Sequence, residues 1–331
     1  MKLAIIGGGS WGTALAVVLA PRAQSVRLWV YEDHLARAMQ ATRENTTFLP
    51  GFRLPDAVEA TSDLAFALHG TDIVLGVMPS RHAASLYGAM LPNLNPQMIF
   101  VSATKGIEPN HLSRISEVIH GVLGARFEPK VAVLSGPSFA REVARGDPTA
   151  VVIASVDASV ASSVQSAFSG PSFRLYTNSD PIGVEVGAAL KNVIAISSGI
   201  CSGLGLGSNT QAALITRGLA EITRLAVAMG GQQKTLSGLA GVGDLILTCT
   251  GALSRNRQVG IELAEGKSLA EIINSTLMVA EGVVTCDAAV ELGRKFDVDL
   301  PIIQQMHAVL HGSRTPQAAL RELMDRTLKS E

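Results

Sequence analysis

The first turn of the chain constrains its fold more than any other segment. A short apolar run, Leu3–Ile6, passes directly into Gly7-Gly8-Gly9-Ser10-Trp11-Gly12, and an Ala-rich stretch, Trp11–Leu19, follows. Strand, glycine turn and helix in immediate succession are the opening of a βαβ unit. Each glycine of this G-x-G-x-x-G pattern has its own physical reason. Gly7 permits the tight turn, Gly9 lets backbone approach a pyrophosphate, and Gly12 lets the helix pack closely on the strand. A pyrophosphate would lie at the helix N-terminus, where free N–H groups and the helix dipole attract an anion. The hexapeptide alone is a weak signal, and a merely structural glycine turn is the alternative. Its place between strand and helix makes dinucleotide binding the preferred reading.

The rest of the first half repeats the same alternation. Val26–Val30, Ile73–Val77, Met98–Ser102 and Val131–Ser135 read as buried parallel strands, with helices expected over Arg81–Leu91 and His111–Leu123. Ala150–Ser155 and Phe173–Thr177 are two further strand-like runs around a helical segment, Asp157–Phe168. Past Asp180 the strand signals stop. Helical stretches follow at 182–200, 209–229, 235–248, 254–264, 268–273, 280–296, 301–311 and 315–328, with Pro301 and Pro316 suited to first turns. The expected fold is therefore an α/β Rossmann-type domain over 1–182, with a doubly wound, mostly parallel sheet, followed by an all-α domain over 183–331.

Composition removes several classes of function. Among 331 residues, Lys+Arg number 27 against Asp+Glu 28, a net charge of −1, which leaves no electrostatic footprint for nucleic acid or an anionic membrane. The three cysteines, Cys201, Cys249 and Cys286, are scattered and odd in number, so a reducing compartment, the cytoplasm, is expected. The first apolar run is too short for a signal-peptide core. Residues 193–216 carry no charge, but half of them are Gly, Ser, Thr, Asn or Gln, too polar for a membrane span.

Just before that uncharged region stands Lys191. Between Glu185 and Arg217 it is the only ionisable acid or base apart from Cys201, flanked by Ala188-Ala189-Leu190 and Val193-Ile194-Ala195. A lysine snorkelling from a helix edge is the bland reading, but this helix offers no polar face to join. A functional lysine is preferred, since desolvation moves its pKa toward the range useful for proton transfer. Asn192 reads equally as a substrate-orienting group or an internal helix Asn, and Asp244 as a helix N-cap or a partner for Lys191. Ser254-Arg255-Asn256-Arg257 offers donors for a phosphate, or simply a solvated helix start. Lys105 follows the fourth strand and Gly136 and Ser138 the fifth, where doubly wound sheets bind ligands, although an ordinary turn would also explain the latter pair. Glu32 lies about twenty residues beyond Gly12, where an acid commonly meets the adenosine ribose hydroxyls. With Tyr31 beside it for adenine, Glu32 favours NAD(H) and repels the 2′-phosphate of NADP(H); a dipole-favoured helix start is its alternative role. Arg37 and Arg43 remain as groups that could reach such a phosphate. His307 and His311 are spaced i, i+4, but no third ligand accompanies them in sequence, and no metal is expected.

These blocks together resemble the NAD(P)-dependent glycerol-3-phosphate dehydrogenases. The resemblance rests on Gly7–Ala14, Ala103-Thr104-Lys105-Gly106, Ser135-Gly136-Pro137-Ser138-Phe139-Ala140, Glu185–Val193, Gly241–Leu245 with Leu247–Thr250, and Ser254-Arg255-Asn256, in order along essentially the whole chain. It implies reversible hydride transfer between NAD(P)H and dihydroxyacetone phosphate, giving sn-glycerol 3-phosphate, a glycerophospholipid precursor. It implies Lys191 as proton donor and acceptor, and Lys105, Gly136, Ser138, Asp244, Ser254, Arg255 and Asn256 as substrate contacts. Ser10, Trp11, Lys105, Ala140, Arg255, Val279 and Glu281 are implied as coenzyme contacts, and a homodimer as the assembly. Many bacterial members carry a basic residue after the second strand, where this chain has Tyr31-Glu32. A β-hydroxyacid or sugar-acid dehydrogenase of similar layout, and a non-catalytic dinucleotide-sensing protein, are the alternatives. The first would recognise a carboxylate, and the second has no use for Lys191.

Overall fold

A computed structural model describes residues 1–275 and 280–327, which form two compact units, Met1–Glu185 and Val186–Glu331. In the first unit the strands are β1 (Lys2–Ile6), β2 (Ser25–Trp29), β3 (Val58–Thr61), β4 (Ile73–Gly76), β5 (Ile99–Ser102), β6 (Lys130–Ser135), β7 (Thr149–Ala154) and β8 (Phe173–Asn178). The helices between them are α1 (Ser10–Leu19), α2 (Asp33–Thr42), α3 (Leu64–Leu68), α4 (Ala83–Met90), α5 (Ile115–Leu123), α6 (Ala140–Arg145) and α7 (Ala158–Phe168). The sheet order is β3-β2-β1-β4-β5-β6-β7-β8, all neighbours parallel except β6 and β7. Side chains alternate across it as a period of two requires. Leu3 and Ile5 enter one core with Leu15 and Leu19 of α1, Met39 of α2, Val143 of α6 and Phe168 of α7. Ala4 and Ile6 enter the other with Leu68 of α3, Tyr87 of α4 and Leu123 of α5. Helices thus cover both faces, the doubly wound arrangement expected.

Two local departures have physical causes. Strand β3 is a short edge strand of sequence Val-Glu-Ala-Thr, without the β-branched run that marks its neighbours, and gave no signal. Helix α5 starts at Ile115 and not at His111, because the buried Glu108 carboxylate accepts from the N–H groups of Asn110 and His111 and holds the preceding residues in a turn.

The second unit is helical among its described residues: α8 (Pro181–Gly203), α9 (Ser208–Ala228), α10 (Gln233–Leu236), α11 (Asp244–Thr250), α12 (Arg255–Ala264), α13 (Leu269–Asn274), α14 (Glu281–Lys295), α15 (Pro301–Leu310) and α16 (Pro316–Met324). Helix α8, whose first five residues precede the division between the units, is long and apolar enough to cross a membrane, but its apolar stretch is wholly buried inside the fold. The single helix expected over 235–248 is broken into α10, a π turn at Leu239–Gly243 and α11. Gly241 allows that break: a Cβ there would lie 2.0 Å from the Leu236 carbonyl oxygen.

Candidate active site

The glycine turn joins β1 to α1. Gly7 has φ +130° and a Cβ on it would sit 2.4 Å from the Val77 carbonyl oxygen, so only glycine fits. A Cβ on Gly12 would sit 1.9 Å from the Gly7 carbonyl oxygen, which shows how closely α1 lies on the turn. Above Gly9 there is open space, with no atom within 4 Å of an added Cβ. No side chain caps α1, and the Ser10 hydroxyl is turned instead to the Phe48 carbonyl at 2.7 Å. A bare helix N-terminus beneath an open glycine fits a dinucleotide phosphate. Buried Asn45, unmarked by any sequence signal in its polar loop, secures the turn: its Nδ2 donates to the Gly8 carbonyl and to Thr13 Oγ1, both at 2.8 Å.

Lys105, beyond the end of β5, and Ser138, beyond β6, meet at the carboxyl ends of the strands. Lys105 Nζ donates to the Gly136 carbonyl and to Ser138 Oγ, both at 3.2 Å, and lies 5.8 Å from the centre of the Trp11 ring. Gly136 has φ +140°. Ala140 opens α6 and packs into the core that α1 shares. Tyr31 and Glu32 are exposed past the end of β2, Tyr31 meeting Trp29 edge-on at 6.1 Å. Glu32 is the backbone N-cap of α2, but its carboxylate makes no capping bond. Arg37 is paired with Asp33 at 2.7 Å, and Arg43 donates to the carbonyls of Val58, Leu54 and Pro55.

In the second unit, Lys191 lies at the middle of α8 and is 5% exposed. Its Nζ is 3.0 Å from Asp244 Oδ1 and donates to Thr248 Oγ1 at 2.7 Å. Asp244, 1% exposed, is the first residue of α11, aimed inward by the π turn before it. Of its two readings the lysine partner is therefore the observed one. Thr248 follows Asp244 by one helical turn and donates to its carbonyl at 2.6 Å; that i, i+4 spacing was the available signal for it. Burial pushes the neighbouring Cys249 thiol up to about 12, against the opposing charge of Lys191, so it stays protonated.

Ser254 N-caps α12 by accepting from Arg257 N–H at 3.2 Å. Asn256 donates through Nδ2 to Asn192 Oδ1 at 3.1 Å and accepts the Gly282 N–H at 2.9 Å. Asn192, the neighbour of Lys191, is thus held in the same network as the start of α14. Arg255 keeps an exposed side chain, and the surrounding protein desolvates its guanidinium enough to lower its pKa, opposed by the charge of Glu281. Val279 lies outside the described residues. The fold places the Asp287 carboxylate, which the sequence did not set beside them, against both His307 and His311.

A phosphate cradle on a doubly wound sheet and a buried lysine–carboxylate pair on a helical scaffold define the class, a nicotinamide-dependent oxidoreductase. Residues 2–161 match the family described as NAD-dependent glycerol-3-phosphate dehydrogenase N-terminus, and residues 180–321 match the corresponding C-terminus. The chain belongs to that NAD(P)-dependent family. It is 55% identical to a glycerol-3-phosphate dehydrogenase [NAD(P)+] of Koribacter versatilis, over 100% of this chain and 98% of the relative. Identity to the protein of the same description from Nitratidesulfovibrio vulgaris is 49%, with both chains covered completely. A crystal structure of glycerol-3-phosphate dehydrogenase from Coxiella burnetii superposes with a TM-score of 0.94 at 42% identity, covering 98% of this chain and 99% of that one.

Proposed function

We propose that this protein interconverts dihydroxyacetone phosphate and sn-glycerol 3-phosphate with a nicotinamide coenzyme, and that Lys191 is its proton donor and acceptor. The observation that carries the reading is the Lys191–Asp244 ion pair, 3.0 Å long and buried in an otherwise apolar helix environment. Burying an ammonium without a partner is costly, and Asp244 supplies the counter-charge that holds Nζ in place. The bound coenzyme supplies hydride to the ketone carbon. Lys191 Nζ gives its proton to the oxygen of that carbonyl as negative charge develops there, and recovers one in the reverse direction. Thr248 fixes the direction of Nζ. Arg255, with Ser254 and Asn256 beside it, holds the phosphate, so binding energy remote from the reacting carbon aligns the carbonyl. Lys105, Gly136 and Ser138 are further substrate contacts. Gly7, Gly9, Ser10, Trp11 and Gly12, with Lys105, Ala140, Arg255 and Glu281, contact the coenzyme.

NAD(H) is the preferred coenzyme. Glu32 is exposed with an uncommitted carboxylate, Arg43 is tied to backbone carbonyls, and Arg37 is paired with Asp33, so neither arginine stands free for a 2′-phosphate. We place the enzyme in the cytoplasm as a homodimer, with its product feeding glycerophospholipid synthesis. The decisive assay follows nicotinamide absorbance with NADH and either dihydroxyacetone phosphate or a 2-oxo acid. Oxidation with the phosphate ester alone supports the reading. Oxidation with the 2-oxo acid alone would make it a hydroxyacid dehydrogenase, and none with either would favour a dinucleotide sensor.

A further inference from the structure

We propose that Asp287, His307 and His311 form a binding site for one divalent first-row transition ion, Zn²⁺ in the first instance, which fastens α14 to α15. His307 lies in the last turn of α15 and His311 closes the helix, so a spacing of four puts both rings on one face. The ring centres are 4.3 Å apart. Both Nε2 atoms point at the same oxygen, Asp287 Oδ1, at 3.5 Å for His307 and 2.8 Å for His311. All three ligand atoms lie within 4.8 Å of one another. Donors about 2.0–2.1 Å from a tetrahedral ion stand roughly 3.3 Å apart, a value between the 2.8 and 3.5 Å separations of the two Nε2 atoms from Oδ1. A single dication would take a lone pair from each of the three groups.

The donor set also selects the ion. Two imidazoles and one carboxylate suit Zn²⁺, Co²⁺ or Ni²⁺, whereas Ca²⁺ and Mg²⁺ demand oxygen shells. The side chains of Asp287, His307 and His311 are 57%, 38% and 54% exposed, which leaves an entry path and a fourth position for water. The site lies apart from the proposed chemistry. Asp287 is six residues along α14 from Glu281, roughly 9 Å of helix. Its effect is mechanical, because α14 is the helix whose Gly282 N–H is held by Asn256.

The test uses tag-free, chelator-treated full-length protein, titrated with ZnCl₂ by calorimetry and with CoCl₂ by visible absorbance. One ion bound per chain, tetrahedral Co²⁺ bands and a raised melting temperature are expected. Asp287→Asn, His307→Ala and His311→Ala should each weaken binding by at least ~10-fold, the lower range for losing even an outer-shell partner. His82→Ala, at a separate exposed histidine, should leave binding unchanged. These positions are half-exposed, so the variants should fold. Absence of saturable binding, or unchanged affinity in the His307→Ala/His311→Ala double variant, would overturn the proposal.

Discussion

Arg255 and Asn256 stand side by side in sequence, and the fold gives them different work. Asn256 has committed one amide end to Asn192 and the other to the Gly282 N–H, so it stiffens the junction of three helices. Arg255 presents an exposed guanidinium at the first position of α12, where the helix dipole also favours an anion. On the proposed reading, truncating it removes a charge-assisted fork that only a phosphorylated substrate uses. Arg255→Ala should therefore lower kcat/KM for dihydroxyacetone phosphate by about 10- to 150-fold relative to unphosphorylated dihydroxyacetone, the equivalent of ~1.5–3 kcal/mol. Equal losses for both substrates would assign Arg255 to the coenzyme alone. Glu32 is tested in the same way. The kcat/KM ratio should favour NADH over NADPH, and Glu32→Ser should narrow it by relieving repulsion of the 2′-phosphate; a ratio near one in the parent enzyme would refute the assignment.

At the scale of elements, the turn between β1 and α1 is the least forgiving. A methyl group on Gly12 would overlap the Gly7 carbonyl, which is backbone and cannot swing aside. Gly12→Ala should cost ~1–3 kcal/mol in denaturant stability, the usual range for overpacking, and raise KM for NADH. Parent-like stability with unchanged NADH affinity would show that the turn is looser than its geometry implies. Much of this unit was legible because its central strands are β-branched runs buried on both faces, and because the glycines are demanded by sterics. What stayed illegible depends on contacts distant in sequence. Nothing local distinguishes Asn45 from a loop polar residue, since its role exists only once residues 8 and 13 are folded beside it. The break of 235–248 was likewise hidden, because a π turn is set by how Gly241 passes over Leu236. The lysine was visible as a charge without a polar face, but its two partners became unambiguous only with α11 in place.

For the whole molecule, Glu221 gives a pH signature separable from catalysis. It is buried on α9 and accepts the Ile302 and Ile303 N–H groups at the start of α15, at 2.8 and 3.3 Å. Burial pushes its pKa up to about 7, partly offset by those two bonds. The folded state then holds a proton that the unfolded chain releases nearer pH 4.5. The stabilisation is complete below that unfolded value and is lost as pH rises through about 7. Up to ~3 kcal/mol is at stake over this window, at ~1.4 kcal/mol per pKa unit. Chemical denaturation of Glu221→Gln should show a flatter decline between pH 5 and 7.5 than the parent, on the order of this figure; superimposable pH profiles would contradict it. The central claim, however, is that a buried lysine–aspartate pair transfers the proton in a ketone reduction. Its most direct test is the turnover of NADH with dihydroxyacetone phosphate by the parent and by Lys191→Met, each with NADH affinity measured alongside. The account predicts a kcat lower by ~10²–10⁴-fold in the variant, with NADH binding nearly intact. A folded Lys191→Met enzyme that turns over at the parent rate would contradict it.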